Sequence, residues 1–131
     1  MGYSVELMDD ELFCKSQEDA EQAAAIVTGN DRMSPFNLEV HPQTVESGSD
    51  AGRRYLEISH FEGDHWCNED ANALWLALAP HLADGAYIEF MGEGHERWRM
   101  RWQEGRVYEE YVVDVVWEVN KEIALEQEEV P

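Results

Sequence analysis

Apolar and polar residues alternate from the start of the chain. Tyr3, Val5 and Leu7 are separated by Ser4 and Glu6, the two-residue period of a strand with one buried face. The run is expected to continue past Asp9-Asp10-Glu11 to Leu12 and Phe13. Ser16 then precedes Asp19 by three residues, a capping-box spacing, and Ala20, Ala23, Ala24 and Val27 share one face of a helix predicted over 17–28. Gly29-Asn30 supplies its stop, and Phe36, Leu38 and Val40 alternate in a short strand that ends before Pro42. The segment PQTVESGSDAG that follows is rich in turn formers and predicts a mobile loop.

Tyr55, Leu56, Ile58 and Phe61 mark a third strand. A second helix is predicted over 69–83, with Asp64 or Asn68 as its cap, a buried stripe of Ala71, Leu74, Trp75, Leu78 and Leu82, and a kink or restart at Pro80. A three-stranded meander follows over 87–91, 96–102 and 107–113, turning at Gly92-Glu93-Gly94 and Gln103-Glu104-Gly105. In its middle strand Trp98, Met100 and Trp102 share one face, and Arg97, Arg99 and Arg101 the other. Beyond Asp114, Val115, Val116, Trp117 and Val119 favour a strand, and 120–127 favours a helix. The expected fold is a single α+β domain over 1–131: a mostly antiparallel sheet of five or six strands with two helices on one face, in the order β-α-β-β-α-β-β-β.

Charge changes this picture most. Among 131 residues, 29 Asp and Glu face 9 Lys and Arg, a formal net charge of −20. The net balance is −9 up to Asp50, −6 from Ala51 to Gly94 and −5 from His95 onward, so the acidity is spread along the chain. Such a surface repels phosphate backbones and disfavours direct nucleic-acid binding. No stretch reaches the roughly 18 apolar residues of a membrane helix, and MGYSVELMDDELF lacks the regions of a signal peptide. A cytoplasmic protein with two reduced thiols, Cys14 and Cys67, is therefore expected, with no membrane partner.

Of the residues able to carry chemistry, His60, Glu62, Asp64, His65 and Cys67 lie within eight positions. They form a candidate metal or thiol site, without the paired spacing of structural zinc. The five histidines follow no nucleophile signature, and no phosphate-binding glycine motif occurs. The arginines of the meander are expected to pair with Glu89, Glu109 and Glu110 across a solvated sheet face. Trp75, Trp98, Trp102, Tyr108 and Trp117 are expected in the core.

Ordered carboxylates three or four apart on a helix, or about 6.6 Å apart on a strand, form rows that imitate nucleic-acid phosphates. The leading expectation is accordingly a non-enzymatic acidic protein without cofactor that occupies the basic, nucleic-acid-binding surface of a partner. Its contacts are expected from Asp9, Asp10, Glu11, Glu18, Asp19 and Glu21. The alternatives are a metal- or thiol-dependent enzyme built on His60, Asp64, His65 and Cys67, and a toxin-immunity or structural interaction module using the Trp-rich meander. Over GYSVEL, DHWCNEDANALWLALAPHL and GAYIEFMGEGHERWRMRWQEGRVYEE the chain resembles a loose group of small proteins of bacteria and their phages. In size and charge it is similar to anti-CRISPR, anti-restriction and immunity proteins. The shared segments carry no catalytic residue, so the resemblance implies a fold and no activity.

Overall fold

A computed structural model describes residues 3–30, 36–64 and 66–112. It is an α+β fold of two helices and seven strands: β1 Val5–Glu11, β2 Phe13–Cys14, α1 Gln17–Asn30, β3 Asn37–Thr44, β4 Arg54–Glu62, α2 Asn68–Leu78, β5 Tyr87–Gly92, β6 Arg97–Gln103 and β7 Arg106–Tyr111. The strands form two antiparallel sheets, β1-β5-β6-β7 and β2-β4-β3.

The first alternating run is shared between both sheets. β1 pairs with β5, the chain crosses at Leu12, whose carbonyl accepts from Leu56 N–H, and β2 then pairs with β4. Within β1 the register shifts between Leu7, opposite Phe90, and Asp9, opposite Glu89, leaving Met8 as the extra residue of a bulge. Val5 and Leu7 face inward before the bulge, and Asp10 and Leu12 after it, so Asp9 and Glu11 turn to the open face. Gly63 meets β1 where Val5 N–H donates to its carbonyl at 3.0 Å. A Cβ at Gly63 would collide with the Val5 carbonyl oxygen, so this junction requires glycine.

Ser16 caps α1 as its spacing predicts. Its Oγ accepts from Asp19 N–H at 3.0 Å and donates to Asp19 Oδ2 at 3.0 Å. Ala20, Ala23 and Val27 are buried. The segment after Val40 departs from expectation, because β3 continues through Pro42 to Thr44. It is an edge strand, where a missing N–H costs no ladder bond to a further neighbour. The remainder of the expected loop is held by Val45 N–H to Arg53 O at 2.9 Å, Gly52 N–H to Val45 O at 2.8 Å and an Arg53–Asp50 ion pair at 3.3 Å.

Proline ends α2 where a kink or restart was expected. The helix stops at Leu78, and its last turn tightens through Ala79 N–H to Leu76 O and His81 N–H to Leu78 O. Its cap also differs from expectation. Cys67 occupies the N-cap without a side-chain bond, Asn68 Oδ1 accepts from Trp66 Nε1 at 2.8 Å, and Asp64 Oδ1 accepts from Ser4 Oγ at 3.1 Å. The stripe Ala71, Leu74, Trp75, Leu78 and Leu82 is buried as predicted.

The meander forms as read. Glu104-Gly105, both at positive φ, make the two-residue turn between β6 and β7 that suits the strands' twist. Trp98, Met100 and Trp102 pack with Phe36, Trp75, Ile88 and Phe90 in a core to which both sheets contribute. Buried Trp102 donates its indole N–H to the Trp75 carbonyl at 3.1 Å, so its one polar atom is satisfied; truncating such a side chain costs about 3–5 kcal/mol. No helix among the described residues is long and apolar enough to cross a membrane. The expected strand or helix beyond Asp114, including Trp117, lies outside the described residues.

Candidate functional site

Antiparallel register determines what the open face of the four-stranded sheet displays. Glu6, Asp9 and Glu11 stand on β1, Tyr87 and Glu89 on β5, Arg97, Arg99 and Arg101 on β6, and Tyr108 and Glu110 on β7. The arginines are matched locally: Arg97 pairs with Glu89, Arg99 Nε reaches Glu110 Oε1 at 2.6 Å, and Arg101 Nε reaches Glu110 Oε2 at 2.9 Å. Arg99 first, then Arg101, holds the Glu110 carboxyl below its ordinary range. Glu109 lies on the opposite face and accepts from the Tyr111 hydroxyl, so it is not one of the arginine partners. Each arginine of the stripe is therefore ion-paired, with Arg99 and Arg101 sharing Glu110.

The six acidic candidates fall into two groups. On β1, Asp9 Oδ2 accepts from the Tyr87 hydroxyl at 2.9 Å, which together with burial pushes the phenol up to about 12. Asp10, turned inward by the bulge, is raised above the usual carboxylate value by burial first and then by Asp9 and Glu11. On α1, Glu18 and Glu21 are exposed and accept from Gln22 and Gln17, each at 3.2 Å. Asp19 is committed to the fold, with Oδ1 2.7 Å from His81 Nδ1 and Oδ2 on Ser16. The connection between the groups, Cys14 to Gln17, lines a cleft with Arg53 and Arg54, so a basic patch adjoins it.

Carboxylates do converge between the sheets. A groove of about 500 Å³ is lined by Asp10, Glu11, Glu46 and Glu57, over apolar Leu12, Leu56 and Ile58, and among the described residues no lysine or arginine lines it. No protein-family model, curated protein or solved structure matches this chain. The site is thus defined by its own geometry. Glu46 and Glu57 escape sequence reading because they reach the groove only through the pairing of β3 with β4 and the closed turn after β3.

The described members of the His60–Cys67 segment take different partners. His60 Nε2 lies 3.6 Å from Glu62 Oε1, both exposed on β4, Asp64 accepts from Ser4, Cys67 is the N-cap of α2, and His65 lies outside the described residues. Among the described residues no group of three His, Cys, Asp or Glu is arranged to hold a metal ion. Both cysteines are free. Burial first and Asp19 second push the Cys14 thiol up to about 11, leaving it protonated and unreactive at neutral pH.

Proposed function

We propose that this protein is an acidic, non-enzymatic binding protein that accepts the basic, nucleic-acid-binding surface of a protein partner. The supporting observation is the inter-sheet groove, in which Asp10, Glu11, Glu46 and Glu57 surround an apolar floor with no lysine or arginine among its described lining residues. A Lys or Arg side chain entering it covers the floor with its methylenes and supplies a counter-charge to Asp10, which burial first and the neighbouring Asp9 and Glu11 second hold above the ordinary value. The net charge of −20 speeds encounter with such a partner through long-range attraction. Exposed Asp9, Glu18 and Glu21 extend the negative field beyond the groove, and Asp19 acts through the fold. In its sharpest form the reading is an inhibitor that competes with nucleic acid for its partner, of the anti-CRISPR or anti-restriction kind.

The test is affinity capture on immobilised protein, with retained proteins identified by mass spectrometry. Basic nucleic-acid-binding proteins are expected to be retained at low salt, released at high salt, and lost when Glu11, Glu46 and Glu57 are all replaced by Gln. Retention indifferent to salt, or equal on the triple variant, contradicts the reading.

A further inference from the structure

The inward side of the four-stranded sheet carries a second cleft, of about 340 Å³, beside the first residue of α2. Its walls are four aromatic rings, Tyr3, Trp66, Trp98 and Tyr111, and Asn68 and two carboxylates, Glu96 and Glu109, complete the lining. Trp66 and Trp98 stand edge to face with centroids 6.2 Å apart, and Tyr111 is the cross-strand partner of Trp98. The polar atoms of the wall are tied down. Tyr3 donates to Glu96, Tyr111 donates to Glu109, and Trp66 Nε1 donates to Asn68 Oδ1 at 2.8 Å.

Close backbone approach builds one corner. The Tyr3 hydroxyl sits where a Cβ at Gly92 would stand, and that Cβ would lie 2.8 Å from the Glu96 carboxyl carbon. The Tyr3 hydrogen bond, the largest influence, keeps Glu96 below its ordinary carboxylate range and hence ionised. Among the described residues neither Glu96 nor Glu109 is ion-paired with a lysine or arginine.

We propose that this cleft is a binding site for an organic cation, a methylated ammonium or a guanidinium group. Aromatic faces attract a cation through their quadrupoles, and the two carboxylates supply the counter-charge. Guanidinium and methylated ammonium groups are weakly hydrated and lose little on entering, unlike sodium or a bare ammonium. The site is separate from the inter-sheet groove and does not depend on it.

Tetramethylammonium chloride and methylguanidinium chloride, titrated into the full chain against sodium chloride at equal concentration, test this by the NMR shifts of the Trp66 indole N–H and the Tyr111 amide. Saturable shifts are expected, with dissociation constants in the millimolar range. Saturation by the first cation marks a methylated-ammonium site, and saturation by the second an arginine-type site. Tyr111→Ala and Glu109→Gln are each expected to weaken binding about fivefold. Tyr111 is 59% exposed, so its truncation leaves the fold standing; Leu76→Ala, on the exposed side of α2, leaves binding unchanged. Linear shifts equal to those with sodium, or unchanged affinity in both site variants, overturn the proposal.

Discussion

His81 Nδ1 and Asp19 Oδ1 meet at 2.7 Å, joining the turn after α2 to the first turn of α1. The same carboxylate closes the Ser16 capping box, so one side chain fixes the start of one helix against the end of the other. His81→Ala is expected to cost about 1 kcal/mol, and Ser16→Ala a similar amount. His81 first, then Ser16, lowers the Asp19 carboxyl below its ordinary value. The associated stability is therefore complete above about pH 4 and is lost as pH falls through the lowered folded value. Urea melts at several pH values should show that acid-side loss shrinking in His81→Ala; an unchanged pH profile contradicts the assignment.

Asp10 has the opposite sign. Burial and its two acidic neighbours raise its carboxyl, so the folded state disfavours the ionised form, and the penalty grows as pH rises through the ordinary value toward the raised one. Asp10→Asn should raise the melting temperature at pH 7 by about 1–2 °C and leave it little changed at pH 3. A lower melting temperature at pH 7 would mean that the carboxylate is needed by the fold.

Tyr87 and Asp9 share a hydrogen bond across the β1–β5 pair. The tyrosine is pushed up to about 12, with the Asp9 bond as the largest cause. Carbon-13 NMR titration of labelled tyrosines should find Tyr87 among the last to ionise, and Asp9→Asn should bring it down toward 10. If Tyr87 titrates identically in both proteins, the bond is not made in solution.

The two cysteines should differ in reactivity. Cys14 is buried, its Sγ donates to Leu12 O at 3.7 Å, and its thiol is raised to about 11. Cys67 is half-buried at the start of α2. At pH 8 an aromatic disulfide reagent is expected to modify Cys67 alone in the native protein and both residues in urea, read by mass spectrometry. Equal labelling of Cys14 without denaturant would disprove its burial.

The meander was legible because apolar Trp98, Met100 and Trp102 alternate with Arg97, Arg99 and Arg101 through β6 and Gly105 marks its tight turn. The stripe of α2 and the Ser16 cap of α1 were legible because each is written within a few neighbouring residues. What stayed hidden depends on distant pairing. The bulge at Met8 inverts the facing of Asp9 to Leu12 only because β5 fixes the register, and Pro42 is tolerated only because β3 lies at an edge. The groove acids Glu46 and Glu57, and the Tyr3, Trp66 and Tyr111 walls of the aromatic cleft, come together through sheet topology that no local pattern records.

Fluorescence-anisotropy titration of a labelled Lys/Arg-rich peptide across a salt series tests the acidic groove most directly. Affinity should fall linearly with the logarithm of salt concentration, and Glu11→Gln, Glu46→Gln and Glu57→Gln together should weaken it at least tenfold at low salt, about 1.4 kcal/mol. Binding that ignores salt, or that survives the triple substitution undiminished, would show that the groove does not receive basic partners.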